Sequence, residues 1–177
     1  SQSSRLTLDG CWIHENISGS SGGGLAGDGG TLNVANCTIE RNEAVNSAGG
    51  VTAGTCVNCI VQNNRLTGSN PTRGTENYVA SAVVLRNSCT RPLPASGAGA
   101  GNFSDDPQLA GPDGPHLLPA SPCIDRGMIW TNLLALDMDG EPRVWPVGGS
   151  LDVGCDEFVP GGPAGPLAAT LLTSLTN

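Results

Sequence analysis

Residues 6–25, LTLDGCWIHENISGSSGGGL, align with residues 32–51, LNVANCTIERNEAVNSAGGV, at a constant offset of 26. Without a gap, Leu6 meets Leu32, Leu8 meets Val34, Cys11 meets Cys37, Ile13 meets Ile39, Asn16 meets Asn42, Gly24 meets Gly50 and Leu25 meets Val51. A third copy, Asn58-Cys59-Ile60-Val61-Gln62-Asn63-Asn64, follows residues 36–42 at an offset of 22, and a weaker fourth runs over residues 82–89. One such repeat cannot bury its own apolar face, so neighbouring copies must stack. Within each copy the apolar residues alternate, as in Leu6/Leu8, Leu32/Val34 and Cys37/Ile39, which is the period of a strand. The segments are too short and too rich in Gly and Asn for helices. The expected fold is all-β: a right-handed parallel β-helix of about four or more short coils, one repeat per coil.

Stacking turns repeated positions into columns. Cys11, Cys37 and Cys59 share one position per coil and would form a ladder at the ~4.8 Å spacing of paired strands. Small core filling is the first reading of that column. A disulfide between coils, such as Cys56 or Cys59 with Cys89, is the alternative. No His stands in register to lower a thiol pKa, so a reactive cysteine is not expected. Asn16, Asn42 and Asn64 share a second position, where stacked amides can bond along the ladder and hold a turn.

Charge and composition exclude several classes. All eight basic residues are Arg, which rules out a lysine Schiff base or a Lys–Asn isopeptide bond. A net charge of -8 argues against nucleic acid, which needs a basic face, and against an anionic membrane surface. No stretch reaches the ~20 apolar residues of a membrane span. The seven cysteines include one CxxC, Cys56 and Cys59, followed by Ile60 where haem attachment needs His. Two His residues, His14 and His116, cannot make a three-His metal site. With neither a starting Met nor a signal peptide, the chain reads as a processed product or a piece of something longer.

The recurring x-Asn-Cys-x-Ile-x-x-Asn, over about residues 5–90, resembles the right-handed β-helix superfamily that includes pectate lyases. The second half carries four ordered motifs: SDDPQL at 104–109, SPCIDRG at 121–127, DMDGEPR at 137–143 and DVGCDE at 152–157. Together they resemble the C-terminal closing module of bacterial surface β-helix proteins, the type called choice-of-anchor Q. The resemblance implies β-helix coils over 1–100 and a closing module over 101–159. Residues 160–177 then form a Pro/Gly linker and a Thr/Leu tail strand. It implies an extracellular or cell-surface location and no particular reaction.

Cys123 and Cys155 occupy variable slots of two of these motifs. If the strands are neighbours, a disulfide is the simplest reading, and two small buried hydrophobes is the other. Asp137 and Asp139 resemble half a calcium loop, although a full loop needs more oxygen ligands. The competing role is a turn with side-chain-to-backbone bonds and an Arg143–carboxylate pair. Three formal glycosylation sequons begin at Asn16, Asn36 and Asn102.

A β-helix lyase needs an acidic calcium cluster and a basic residue on one exposed face. The coils offer Glu15, Glu40, Glu43, Arg41 and Arg65, without an acidic cluster. Asp105 and Asp106 are adjacent, so they do not face each other across a glycosidic bond. Trp12, Trp130 and Trp145 are the candidate sugar platforms. The expected function is a non-catalytic surface building block that self-associates through coil ends or the C-terminal tail, with extracellular polysaccharide as a further partner. The alternative is the C-terminal part of a polysaccharide-binding or polysaccharide-degrading β-helix.

Overall fold

The computed structural model describes residues 4–27, 29–68, 76–95, 99–111, 114–129 and 134–162. Among these residues there is no helix, and the strands are numbered in chain order. β1 (Arg5–Asp9), β4 (Thr31–Ala35), β7 (Gly54–Val57) and β10 (Val83–Arg86) form one sheet in that order. β2 (Trp12–His14), β5 (Thr38–Glu40), β8 (Ile60–Gln62) and β11 (Cys89–Thr90) form a second. β3 (Ile17–Ser18), β6 (Glu43–Ala44) and β9 (Arg65–Leu66) form a third. Every pair in these sheets is parallel. The sheets are the three faces of a parallel β-solenoid of about three turns. The fourth copy is partial and supplies only β10 and β11. The antiparallel pair β12 (Leu109–Gly111) and β13 (Gly114–Leu117) lies outside this stack.

The register follows the repeat. Leu6 pairs with Leu32 and Leu8 with Val34; Ile13, Ile39 and Val61 stand in one column. Val34, Cys56 and Leu85 stand in another. Apart from Leu6, which is exposed at the first coil, these side chains fill the inside of the solenoid together with Val51 and Tyr78. Burying each fully enclosed Ile or Leu is worth about 2 kcal/mol.

The corners explain why Asn so often precedes Cys. Gly10, Asn36, Asn58 and Asn87 all have positive φ, between 47° and 63°. This left-handed region suits Gly and, among other residues, Asn, whose short amide can bond locally. The next corner repeats the device at Glu15, Arg41 and Asn63. Gly50 serves a different need. A Cβ there would lie 2.1 Å from Asn77 O, so the backbones of successive coils meet without room for a side chain.

The chain after the coils folds back against the second sheet. Ile39 and Val61 point into the solenoid core, whereas Ile60 packs into a second core with Cys89, Phe103, Leu117, Cys123 and Val153. β5 and β8 are therefore buried on both faces. Gly154 N donates to Asn58 O at 2.9 Å, and Cys155 N donates to Thr38 Oγ1 at 3.2 Å. A Cβ on Gly154 would stand 2.9 Å from Ile60 Cδ1, and its φ is +116°. The glycine of the DVGCDE motif lets this segment lie close on the sheet.

Candidate functional site

The asparagine column is a continuous hydrogen-bonded ladder. Asn16 Nδ2 donates to Asn42 Oδ1 at 2.9 Å, and Asn42 Nδ2 donates to Asn64 Oδ1 at the same distance. The backbone amides of Asn16 and Asn42 donate to the same two acceptors. Asn64 continues the pattern to Asn77 Oδ1, a rung that the repeat alignment missed. Asn77 follows Asn64 by only 13 residues, so no repeat spacing marks it. The ladder has a direction: donors point toward the later coil. At the first coil, Asn16 Oδ1 meets no donor among the described residues.

The cysteine column also bonds rather than merely filling space. Cys11 N donates to Cys37 Sγ at 3.4 Å, and Cys59 N donates to Ser88 Oγ at 3.0 Å. Each side chain then donates back across its corner, Cys37 to Ala35 O, Cys59 to Val57 O and Ser88 to Arg86 O. Burial pushes the Cys37 and Cys59 thiols well above their ordinary range, so they stay protonated at neutral pH.

All seven cysteines are free thiols. The Cys123–Cys155 disulfide expected from the family motifs is not formed, and neither is a Cys89 bridge to Cys56 or Cys59. Cys123 has Cys89 as its thiol neighbour, and this contact together with burial raises its pKa. Cys155 instead lies against Met138 Sδ at 3.4 Å, and burial pushes its thiol up to about 12. The fold-back segment brings Cys123 and Cys155 to different parts of the second sheet.

At the glycosylation sequons, the amide nitrogens of Asn36 and Asn102 are held by Asp9 Oδ1 and Leu85 O. Asp106 Oδ1 accepts from Gln108 N, forming a turn. Trp12 is engaged on several sides: its indole donates to Glu40 Oε1 at 3.0 Å, and its ring stacks on His14 at 3.5 Å. Arg41 lies 5.6 Å from the same ring. Trp145 is partly exposed, and Trp130 lies outside the described residues.

The turn after residue 136 gathers titratable groups. Asp137 Oδ1 accepts from Asp139 N and Glu141 N, and Asp137 Oδ2 accepts from Glu157 N. Asp137 is therefore the turn former, with both oxygens occupied by amides. The expected Arg143–carboxylate pair is replaced by a bond from the buried Arg143 Nη2 to Gly154 O. His116, Asp139 and Asp156 bring ligand atoms within 4.8 Å of one another, as do Asp137, Asp139 and Glu141. Asp139 belongs to both groups. Its side chain is only 1% exposed, and Oδ2 lies 2.7 Å from His116 Nε2. Its Oδ1 is enclosed without a hydrogen-bond partner. Desolvation raises Asp156 to about 6; desolvation and the neighbouring Asp137 and Asp139 charges raise Glu141.

No family model, curated protein or solved structure matches the chain. No helix among the described residues is long and apolar enough to cross a membrane.

Proposed function

We propose that the chain is a non-catalytic extracellular or cell-surface building block, of the pectate-lyase-like β-helix type with a choice-of-anchor Q closing module. On this reading it assembles through the exposed edge of its first coil. The observation that carries the reading is that, among the described residues, β1, β2 and β3 are edge strands of the three sheets at one common end. Leu6 and Ile17 on that end are 52% and 80% exposed. Open strand edges of this kind template pairing with another strand.

The opposite end is less open. Phe103 forms a parallel bridge with Cys89, and Asn87 N donates to Ala100 O, so residues 99–103 cover part of the last coil. On this reading the segment offered to the edge of the first coil is the Thr/Leu tail, 168–177, of a neighbouring copy, by β-augmentation. That tail lies outside the described residues.

The polysaccharide-active alternative requires free cationic groups on a coil face. Arg65 is paired with Glu43, and Arg41 with Glu40 and Glu15 at 3.0 and 3.4 Å. Arg5 on β1 and Arg86 on β10 are exposed, so a cleavage assay decides between the two readings. The test is negative-stain microscopy and light scattering of the intact chain beside the Leu6→Lys/Ile17→Lys variant, with a polyuronide cleavage assay in parallel. Assemblies lost in the variant and no cleavage support the proposal. Cleavage by the intact chain, or the same particles in both proteins, overturns it.

A further inference from the structure

We propose that His116, Asp139 and Asp156 form a binding site for one divalent transition-metal ion of the zinc type. The three residues come from separate segments: β13, the turn after residue 136 and the final DVGCDE motif. They converge to within 4.8 Å, which a single acidic turn does not require. Asp139 is the common member of both carboxylate groups, and its enclosed Oδ1 has no donor. A buried carboxylate oxygen without a partner is costly unless a cation or donor satisfies it.

Local charge points the same way. Asp139 and Asp156 stand with the single imidazole of His116, and Asp139 also groups with Asp137 and Glu141. One His and two carboxylates carry two negative charges when His116 is neutral, which a divalent ion balances. An imidazole nitrogen suits zinc and similar ions, whereas calcium and magnesium take oxygen ligands. The arrangement differs from the calcium loop anticipated at Asp137 and Asp139, because Asp137 spends both oxygens on backbone amides.

A position in β13 fits this role. A Cβ on Gly114 would fall 2.5 Å from His116 Nδ1, so the glycine leaves space for the imidazole beside the backbone.

The test uses the intact chain, stripped with a chelator and titrated calorimetrically with ZnCl2, CoCl2 and CaCl2. Visible absorption is recorded for the cobalt form. The expected result is one zinc or cobalt ion per chain, a cobalt d–d spectrum, and at least ~10-fold weaker binding in His116→Gln. Asp139→Asn should show a similar loss. If that variant unfolds by circular dichroism, His116→Gln decides alone, since its side chain is 18% exposed against 1% for Asp139. The proposal is overturned if the intact chain shows no saturable zinc binding, or if calcium binds more tightly than zinc. It is also overturned if His116→Gln binds zinc unchanged, which would place the ion at His14 or on the acidic surface.

Discussion

Cys59 N donates to Ser88 Oγ at 3.0 Å, in the same arrangement by which Cys11 N meets Cys37 Sγ two coils earlier in the column. Serine and cysteine thus do the same work at equivalent corners. Cys37 and Ser88 accept from the preceding coil, and all four side chains of the column donate to the carbonyl two residues back.

This equivalence separates a bonding role from plain core filling. Cys37→Ser should cost no more than ~1 kcal/mol, whereas Cys37→Val, of suitable bulk but without a donor or acceptor, should cost ~1–2 kcal/mol more. Urea unfolding of the two variants reads the difference. A valine variant more stable than the serine variant would return the column to simple packing.

The asparagine ladder carries a larger share. In Asn64→Ala, Asn42 N and Nδ2 lose their acceptor, and Ile39 O and Gln62 O lose a donor, all of them buried. The expected loss is about 3 kcal/mol. Asn64→Asp keeps the acceptor but removes the three donor bonds of Nδ2, to Ile39 O, Gln62 O and Asn77 Oδ1, and adds a buried charge, so it should recover little of that stability. Thermal unfolding that leaves Asn64→Ala within ~0.5 kcal/mol of the parent would show the ladder to be incidental.

Asp152 sets a pH dependence of definite sign. Its carboxylate is buried, faces Arg143, Asp125 and Glu157, and accepts from the amides of Asp125 and Phe158. Desolvation outweighs the other influences and raises it from 3.8 to about 6. A raised carboxyl binds its proton more tightly in the folded state, so its contribution is full below pH ~4 and is lost as pH rises through about 6. Stability of the parent relative to Asp152→Asn should therefore fall by about 2 kcal/mol between pH 4 and pH 7. An increase over that range would reverse the assignment.

Gly154→Ala should separate the fold-back segment from the second sheet. The new methyl meets Ile60 and Thr38, and the residue is held at positive φ, so a loss of about 2 kcal/mol is expected. Amide exchange should rise at Val153 and Cys155 before it rises at Ile39. Uniform exchange changes throughout the coils would contradict this local account.

The coils were legible because stacking demands constancy. Leu32 must resemble Leu6 when the two are cross-strand partners, and the offset of 26 is the length of one turn. Asn77 was hidden because the loop before it breaks that spacing. Its function is set by position beside Asn64 rather than by distance along the chain. The neighbours of Cys123 were equally out of reach. Its motif shows that the segment is special, but only the fold-back geometry puts Cys89 rather than Cys155 beside it. In the candidate metal centre, Asp137 and Asp139 stood out through their turn motif, and the structure assigns them different tasks. His116 had no local signature, and the DVGCDE motif did not mark Asp156 as a ligand, because both reach Asp139 only through long-range packing.

Sedimentation velocity of the intact chain over a hundredfold concentration range tests the central claim most directly. The account predicts a weight-average sedimentation coefficient that grows with concentration, and growth that disappears in Leu6→Lys/Ile17→Lys while the circular dichroism of the coils is retained. A single monomeric boundary at every concentration would contradict it.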